Sequence, residues 1–157
     1  MDNDFNKKIC ELPDGYTPSE SEEFMNPMQL EFFRRMLLKW KEDITSNSGE
    51  VLRYLQEDTN PGTDFGDRAT VETDLICELR SQSRATKLLS KIDAALSRIF
   101  NGTYGYCVET GNPIGIKRLI ARPVATLCLE AQEAHEKKRT INKEVRKYKI
   151  WQKKRNK

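Results

Sequence analysis

The chain has 157 residues, of which 37% are hydrophobic and 32% are charged, so it suits one domain with extensions rather than a large globule. No stretch approaches the roughly 18 consecutive apolar residues that span a bilayer, and the N-terminus, MDNDFNKKICELPDG, lacks the apolar core of a signal peptide. We therefore expect a cytoplasmic protein without a membrane segment, whose four cysteines are thiols rather than a secreted disulfide framework.

The net charge of +3 conceals opposite charges at the two ends of the chain. Residues 1–26 carry seven acids and two bases, a net charge of −5, and the prolines and glycine of this segment predict a mostly irregular N-terminal arm. Residues 137–157 carry eleven bases and one acid, a net charge of +10. This basic C-terminal extension is typical of a solvated helix end or a disordered tail, and it could contact nucleic acid or an acidic protein.

A long helix is predicted from about residue 27 to residue 57. Asn26 can cap this helix, and Pro27 suits its first position. We interpret Phe33 and Trp40 as packing residues of an apolar seam rather than as contact sites. The seam has alternating spacings of three and four, the heptad pattern of a coiled coil with one polar interruption, and consists of Leu30, Phe33, Leu37, Trp40, Ile44, Asn47, Val51 and Tyr54.

A second helical pattern runs from about residue 67 to residue 100, after the breaking stretch EDTNPGTDFGDRAT, and Gly102 is expected to end it. Two long helices joined by a short loop predict an antiparallel hairpin over residues 27–103, with its tip at about 58–70. The second seam is weaker, because the polar run RSQSRATK interrupts its apolar positions, which include Leu75, Leu79, Leu88, Leu89, Ile92, Ala95, Leu96 and Ile99.

Residues 104–136 have the spacing of a four-cysteine zinc finger from which two cysteines are missing. Cys107 and Cys128 occupy the first positions of two C-x-x-C pairs, but Thr110 and Ala131 occupy the second positions. Four soft ligands around a tetrahedral ion make a structural zinc site. Threonine is a poor zinc ligand and alanine has no donor atom, so two thiolates alone leave the site incomplete.

Three nearby side chains are poorly placed to complete a metal site, since Glu109 and Glu130 adjoin the cysteines and His135 lies two helical turns beyond Cys128. We therefore predict a zinc-finger-like domain without metal, followed by a C-terminal helix that frays after about residue 140. The two cysteines are expected to be buried thiols, and a disulfide between them under oxidation is the alternative. A catalytic cysteine is not indicated, because the one histidine has no visible orienting partner. The domain is expected to be held by packing of Tyr104, Tyr106, Ile114, Ile116, Leu119, Ile120, Val124 and Leu127.

These features together resemble the DksA/TraR zinc-finger family of bacterial transcription factors. The resemblance covers roughly residues 27–136 and rests on the hairpin, the tip DFGDRAT, and the stretches KLLSKIDAALSRIFNGTYGYC and GNPIGIKRLIARPVATLCLEA. The chain departs from the pattern at two of four zinc positions, as cysteine-poor members of the family do. The resemblance implies a mainly α fold, with a long antiparallel coiled-coil hairpin, a small zinc-finger-like globular domain and a C-terminal helix.

The resemblance also implies a regulator of bacterial RNA polymerase rather than an enzyme. Members of the family insert the coiled coil into the polymerase secondary channel. Together with ppGpp, the alarmone of the stringent response, they modulate initiation at stable RNA and amino-acid biosynthesis promoters. The motif D-x-x-D-x-A falls on Asp64, Asp67 and Ala69, which would form the polymerase-contact tip, and Arg84 matches a further contact position. Apart from the resemblance, aspartates at a helix start are common caps, and both roles can coexist.

The positions that match the family's ppGpp site, shared with polymerase, are Leu88, Lys91 and Arg122. A further family position, usually lysine, is Gln132 here, and the nearby bases of the extension are candidates to compensate for the missing charge. We expect a monomer with no tightly bound cofactor, no zinc and no direct sequence-specific DNA binding. The alternative function is direct nucleic-acid binding through the basic extension. A third possibility concerns regulation: the protein substitutes for a four-cysteine paralogue when zinc is scarce or thiols are oxidised.

Overall fold

The computed structural model describes residues 9–57 and 65–155, and within these residues the regular structure is helical, without strands. An antiparallel β-bridge joins Tyr106 and Pro113. The chain divides into two compact units, of which the first ends at Tyr104 and the second begins at Gly105. The predicted mainly α fold is thereby confirmed, with α1 at Pro27–Glu57, α2 at Phe65–Phe100, α3 at Ile116–Ala121 and α4 at Leu129–Arg155.

The start of α1 has the predicted cap. The Oδ1 atom of Asn26 accepts a hydrogen bond of 2.7 Å from the backbone N–H of Gln29, and Pro27 is the first helical residue. The side chain of Gln29 reaches back, and its Oε1 atom accepts a 2.8 Å hydrogen bond from the N–H of Met25. The first bond satisfies a backbone donor that a helix start leaves without an intrahelical partner, and the second fixes the residue before the cap.

The first two helices form an antiparallel hairpin, as predicted. Lys41 on α1 pairs with Asp93 on α2, with 2.7 Å between Nζ and Oδ1. Closer to the start of α1, the ring of Phe33 lies 5.5 Å from the ring of Tyr104, which follows α2. Partners that lie earlier on α1 thus pair with positions later in the chain. The end of α2 is also as expected, because Gly102 adopts a left-handed φ of 69° and its N–H bonds to the carbonyl of Ile99.

The core of the hairpin consists of fully buried residues from both seams. Phe33 and Leu37 of α1 have no exposed surface, so the interpretation of Phe33 as a packing residue is confirmed, and Trp40 is half-buried. The α2 seam is weaker than the α1 seam, as predicted. Leu79 is 54% exposed, because the polar run RSQSRATK separates it from the continuous apolar face that begins at Leu88. The buried residues of that face are Ile92, Ala95, Leu96 and Ile99.

The N-terminal arm is bound to α1 by a buried carboxylate. Residues 9–26 contain no helix or strand, in agreement with the prediction, but the N–H of Ile9 donates a 3.0 Å hydrogen bond to Glu31, which is fully buried. Arg34 and Arg35 also donate to this carboxylate, at 2.8 Å each from Nε. A second connection is the 3.1 Å bond from Gln29 Nε2 to the carbonyl of Ser19. Composition alone gave no indication of this attachment.

The second unit contains the degenerate finger and the C-terminal helix. Its buried apolar side chains include Ile114, Ile116 and Leu119, as expected. Two other expected packing residues lie at the surface: Tyr106 is 38% exposed and Ile120 is 45% exposed. The six-residue helix α3 buries a narrow strip, and Ile120 lies at its edge. The expected fraying after residue 140 is wrong, since α4 continues to Arg155 through a segment without glycine or proline.

Candidate functional site

Three of the residues singled out on α2 lie on one face of the helix. Arg84, Leu88 and Lys91 are separated by four and three positions, the spacing at which side chains on a helix are neighbours. The two bases are exposed and Leu88 is half-buried. The structure therefore presents two cations in solvent beside an apolar side chain, an arrangement that can bind an anion carrying an aromatic base.

Two further bases extend this face, and the sequence analysis missed them. Arg80 and Lys87 are exposed and continue the same spacing, so that Arg80, Arg84, Lys87 and Lys91 form a basic stripe along α2. The sequence contains this stripe as basic residues separated by four, three and four positions. It was hidden because the neighbouring apolar seam dominates the periodicity.

The described part of the predicted tip is the first turns of α2. Asp64 lies outside the described residues. Asp67 is the third residue of α2 and Ala69 follows two positions later, while their side chains lie outside the described part of the chain. The position of Asp67 in the first helical turn places an acid where the helix dipole favours negative charge. A functional role for the aspartates and their capping role remain compatible at this position.

Arg122 belongs to the second unit, whereas Leu88 and Lys91 belong to the first. Arg122 directly follows α3 and is exposed, and its backbone N–H donates a 2.8 Å bond to the carbonyl of Arg118. Its own carbonyl accepts a 3.0 Å bond from the N–H of Ala125. The backbone of Arg122 is thus fixed from both sides while its guanidinium is exposed to solvent.

The side chain of Gln132, the residue expected at a position that is usually lysine, forms a hydrogen bond within α4. Its Nε2 atom donates a 2.7 Å hydrogen bond to Oε1 of Glu136. The next bases along the helix, Lys137 and Lys138, are exposed. The side-chain amide is neutral and is bound to a carboxylate, so Gln132 itself supplies no positive charge.

The two knuckles of the finger retain their turns. The N–H of Gly111 bonds to the carbonyl of Cys107 at 3.0 Å, and Gly111 has the left-handed φ of 71° that follows the second position of such a turn. The two halves are joined by a 3.0 Å bond from the N–H of Val108 to the carbonyl of Thr126. Both cysteines are buried and neither forms a disulfide.

Thr110 links the two sulfur atoms. Its hydroxyl lies 3.6 Å from Sγ of Cys128. Hydrogen bonding from the Thr110 hydroxyl also lowers the pKa of Cys107 to about 6; burial opposes this shift, and the backbone N–H groups of Cys128, Thr110 and Glu109 reinforce it. Both cysteines are buried and free, as expected, and the lowered pKa distinguishes Cys107 from an ordinary buried thiol. A threonine hydroxyl can both donate and accept, so this one side chain can hydrogen-bond to both sulfur atoms.

The residues at the four knuckle positions do not fit a zinc ion. They provide two sulfur atoms and one hydroxyl, and Ala131 is buried without a donor atom. Among the described residues, no three His, Cys, Asp or Glu side chains are grouped closely enough to hold a metal. Nor does His135 supply the missing ligand, because its Nε2 atom lies 2.5 Å from the carboxylate of Glu109.

In the described residues, no helix is sufficiently long and apolar to cross a membrane.

Comparison with known proteins gives two adjoining family matches. The model described as "DnaK suppressor protein DksA, N-terminal domain" matches residues 29–99, and "Prokaryotic dksA/traR C4-type zinc finger" matches residues 102–137. The curated RNA polymerase-binding transcription factor DksA of Caulobacter vibrioides is 52% identical over 129 residues, which cover 82% of this chain and 91% of that protein. The protein of the same name from Escherichia coli K12 is 36% identical over 121 residues, covering 77% and 80% of the two chains.

A solved structure has the same fold. The transcription factor DksA2 from Pseudomonas aeruginosa superimposes with a TM-score of 0.69 at 40% sequence identity, covering 74% of this chain and 90% of that one. The two family matches meet at the end of α2, where the hairpin gives way to the finger. From the matched hairpin, the matched finger and the curated relatives, the chain belongs to the DksA/TraR family of transcription factors.

Proposed function

We propose that the protein binds bacterial RNA polymerase and regulates transcription initiation, as a regulator and not as an enzyme. The observation that carries this proposal is the α1–α2 hairpin. Its apolar side chains are buried near the start of α1 and the end of α2, and one face of α2 bears Arg84, Leu88 and Lys91. The relatives from Caulobacter vibrioides and Escherichia coli are named RNA polymerase-binding transcription factors. In this proposal the monomeric protein acts in the cytoplasm, where polymerase is found.

The hairpin enters the secondary channel of polymerase with its tip foremost. Asp64 and Asp67 bring two short carboxylates to the end of the channel, Ala69 allows close approach, and Arg84 contacts polymerase further back. A packed seam supports this mode of action, since a probe without a globular core along its length needs stiffness from paired helices. Buried Phe33, Leu37, Ile92 and Leu96 supply that stiffness at the base.

The alarmone ppGpp binds at the interface with polymerase, where Lys91 and Arg122 bind its phosphates and Leu88 contacts the base. Exposed cations with free hydrogen-bond donors suit phosphate oxygens. With ppGpp, the protein modulates initiation at stable RNA promoters and at promoters of amino-acid biosynthesis. The neutral Gln132 weakens this response relative to a family member with lysine at that position, and Lys137 and Lys138 offset part of the missing charge.

A transcription assay tests the proposal. Purified protein is added to polymerase at a ribosomal RNA promoter with and without ppGpp, and binding to core polymerase is measured in parallel. We expect inhibition that ppGpp strengthens, loss of the effect in Asp67→Asn, and an unchanged effect in the control Asp43→Asn on the exposed face of α1. Lys91→Ala should lose the response to ppGpp but retain binding, with Lys39→Ala as its control. Full activity of Asp67→Asn would refute the tip mechanism.

The finger is proposed to fold without zinc. Its two sulfurs, the Thr110 hydroxyl and the buried Ala131 support this proposal, because they offer too few ligands for a structural site. Protein purified with zinc in the medium should contain less than stoichiometric metal by mass spectrometry and keep its activity after chelator treatment. The variant Thr110→Cys/Ala131→Cys, which restores four cysteines, should take up one zinc ion per chain. One tightly bound zinc in the parent protein would refute the proposal.

A further inference from the structure

Most of the positive charge of α4 has no role in the function proposed above, in which only Lys137 and Lys138 of this helix take part. Residues 137–157 contain eleven bases and one acid. The family matches end at residue 137, so most of this segment lies beyond the matched finger. It is nevertheless helical as far as Arg155. A regular helix holds these charges at fixed positions, which a disordered tail would not do.

The bases of this segment are exposed and are not neutralised by carboxylates within the described residues. Exposed bases with described side chains are Lys137, Lys138, Arg139, Lys143, Arg146, Lys147, Lys149 and Arg155, and none of them takes part in an ion pair with another described residue. The guanidinium of Arg155 lies 4.5 Å from the ring centre of Trp151. Such a concentration of like charge is costly in isolation and favours a polyanionic partner.

The arrangement of charge around the helix distinguishes between classes of partner. At ~100° per residue, the bases from Lys137 to Lys149 cover roughly 260° of the circumference. Ile141, Val145 and Tyr148 lie within about 60° of the circumference, and Trp151 widens this apolar arc to about 120°. Lys137 and Arg155 lie inside the arc, so it is not the continuous apolar stripe with which a helix binds an apolar groove or lies in a membrane surface. A second copy of the same helix would be repelled by its equal charge. The phosphates of a nucleic acid, by contrast, can be contacted from several sides.

Exposed aromatic rings add a second type of contact. Tyr148 and Trp151 are stacked, with 6.1 Å between ring centres, and more than half of each side chain is exposed. Aromatic faces beside cations are the feature on which unpaired bases stack in proteins that bind single strands. We propose that residues 137–155 of α4 bind nucleic acid without sequence preference, through phosphate contacts from the bases and base stacking on Tyr148 and Trp151.

This proposal concerns the protein by itself and is tested without polymerase. Binding of the full chain to a fluorescent DNA duplex of about 30 base pairs, and to one of its single strands, is measured by anisotropy at several salt concentrations. The variant Lys143→Gln/Lys147→Gln removes two phosphate contacts. The slope of log K against log salt should become shallower by ~1.8, at ~0.9 per contact, which corresponds to an affinity loss of up to about 60-fold at 0.1 M salt.

The matched control is Lys39→Gln/Lys117→Gln, which removes two exposed lysines outside the segment and should leave the affinity unchanged. Trp151→Ala should weaken single-strand binding roughly tenfold and duplex binding less. Truncation after Asn142 provides a second test that does not depend on two side chains. Equal binding by the parent and the truncated chain would overturn the proposal. The proposal would also be overturned if the parent protein bound neither nucleic acid at 0.1 M salt but bound core polymerase or phosphatidylserine vesicles through this segment.

Discussion

Replacing Glu31 with glutamine should detach the N-terminal arm and destabilise the hairpin. Each oxygen of this buried carboxylate accepts two hydrogen bonds. Oε2 accepts from the N–H of Ile9 at 3.0 Å and from Arg34 Nε at 2.8 Å, while Oε1 accepts from Arg34 Nη2 at 2.9 Å and from Arg35 Nε at 2.8 Å. In glutamine one of the two oxygens is replaced by an NH₂ group, which cannot accept a hydrogen bond. In either orientation of the amide, two of the four donors therefore lose their acceptor.

The expected cost follows from these bonds. A hydrogen bond to a charged group contributes about 1.5–3 kcal/mol, and breaking a buried ion pair by removing one partner costs about 3–5 kcal/mol. The side chain of Arg35 is 45% exposed and can turn to solvent, so we take the lower end, about 3 kcal/mol. With a urea dependence of about 1.5 kcal/mol per molar, the unfolding midpoint should fall by about 2 M.

The assay uses Trp40, which is half-buried in the hairpin, as the fluorescent probe, in a Trp151→Phe background that silences the other tryptophan. The control is Glu42→Gln, an exposed residue of α1, which should change the unfolding free energy by less than about 0.5 kcal/mol. A loss of less than about 0.5 kcal/mol in Glu31→Gln would refute the view that this carboxylate fixes the arm.

The same variant has a predicted pH dependence. Burial acts to raise the pKa of Glu31, but the hydrogen bonds from Arg34, Arg35 and Ile9 outweigh it and lower the pKa from 4.5 to about 2. A carboxyl with a lowered pKa in the folded state stabilises the fold above its unfolded pKa and loses this effect as pH falls through the folded value. The parent should therefore lose its advantage over Glu31→Gln between about pH 4.5 and pH 2. An advantage that stays constant to pH 2 would contradict this account.

Two further predictions concern the finger and the hairpin seam. Thr110→Val removes the hydroxyl that stabilises the Cys107 thiolate, so the pKa of Cys107 should rise from about 6 toward its usual value of 9.0; thiolate absorbance near 240 nm, in a Cys10→Ser/Cys77→Ser background, measures it, and an unchanged titration would argue against the threonine. Leu37→Ala opens a cavity in the fully buried core and should lower the unfolding free energy by about 2–5 kcal/mol, whereas Leu79→Ala, at a residue 54% exposed, should cost less than about 1 kcal/mol. Equal losses for the two leucines would contradict the seam described for α2.

Features that depend on neighbouring residues were predictable from the sequence. The cap at Asn26, the first-turn proline and the left-handed Gly102 are each determined within a few residues, and the structure has all three. The heptad seam of α1 predicted the buried Phe33 and Leu37, because spacing alone decides which face of a helix can pack. The one-sided face of Arg84, Leu88 and Lys91 follows from the same periodicity.

Features that depend on distant residues were not predictable. Glu31 meets Ile9, 22 positions earlier, and a glutamate within a helix gives no sign that it will be buried. Tyr106 and Ile120 were expected to pack because they are apolar, but a short finger has few buried sites and other residues occupy them. The continuation of α4 to Arg155 was missed because high charge was taken to favour fraying. Helix-forming residues without glycine or proline outweigh that effect.

The two substitutions in the finger are best understood as one change. In a four-cysteine site the metal charge compensates buried thiolates, so loss of the metal would leave negative charge in the interior. Here Ala131 removes one sulfur from a buried position, and Thr110 replaces another with a hydroxyl that lies 3.6 Å from the Cys128 sulfur and lowers the pKa of Cys107. Negative charge on Cys107 is stabilised by this hydroxyl and by the backbone N–H groups of the knuckles. Changing Ala131 alone to cysteine would add a third buried sulfur while the fourth ligand position remains a threonine, so only the double change restores a complete set of zinc ligands.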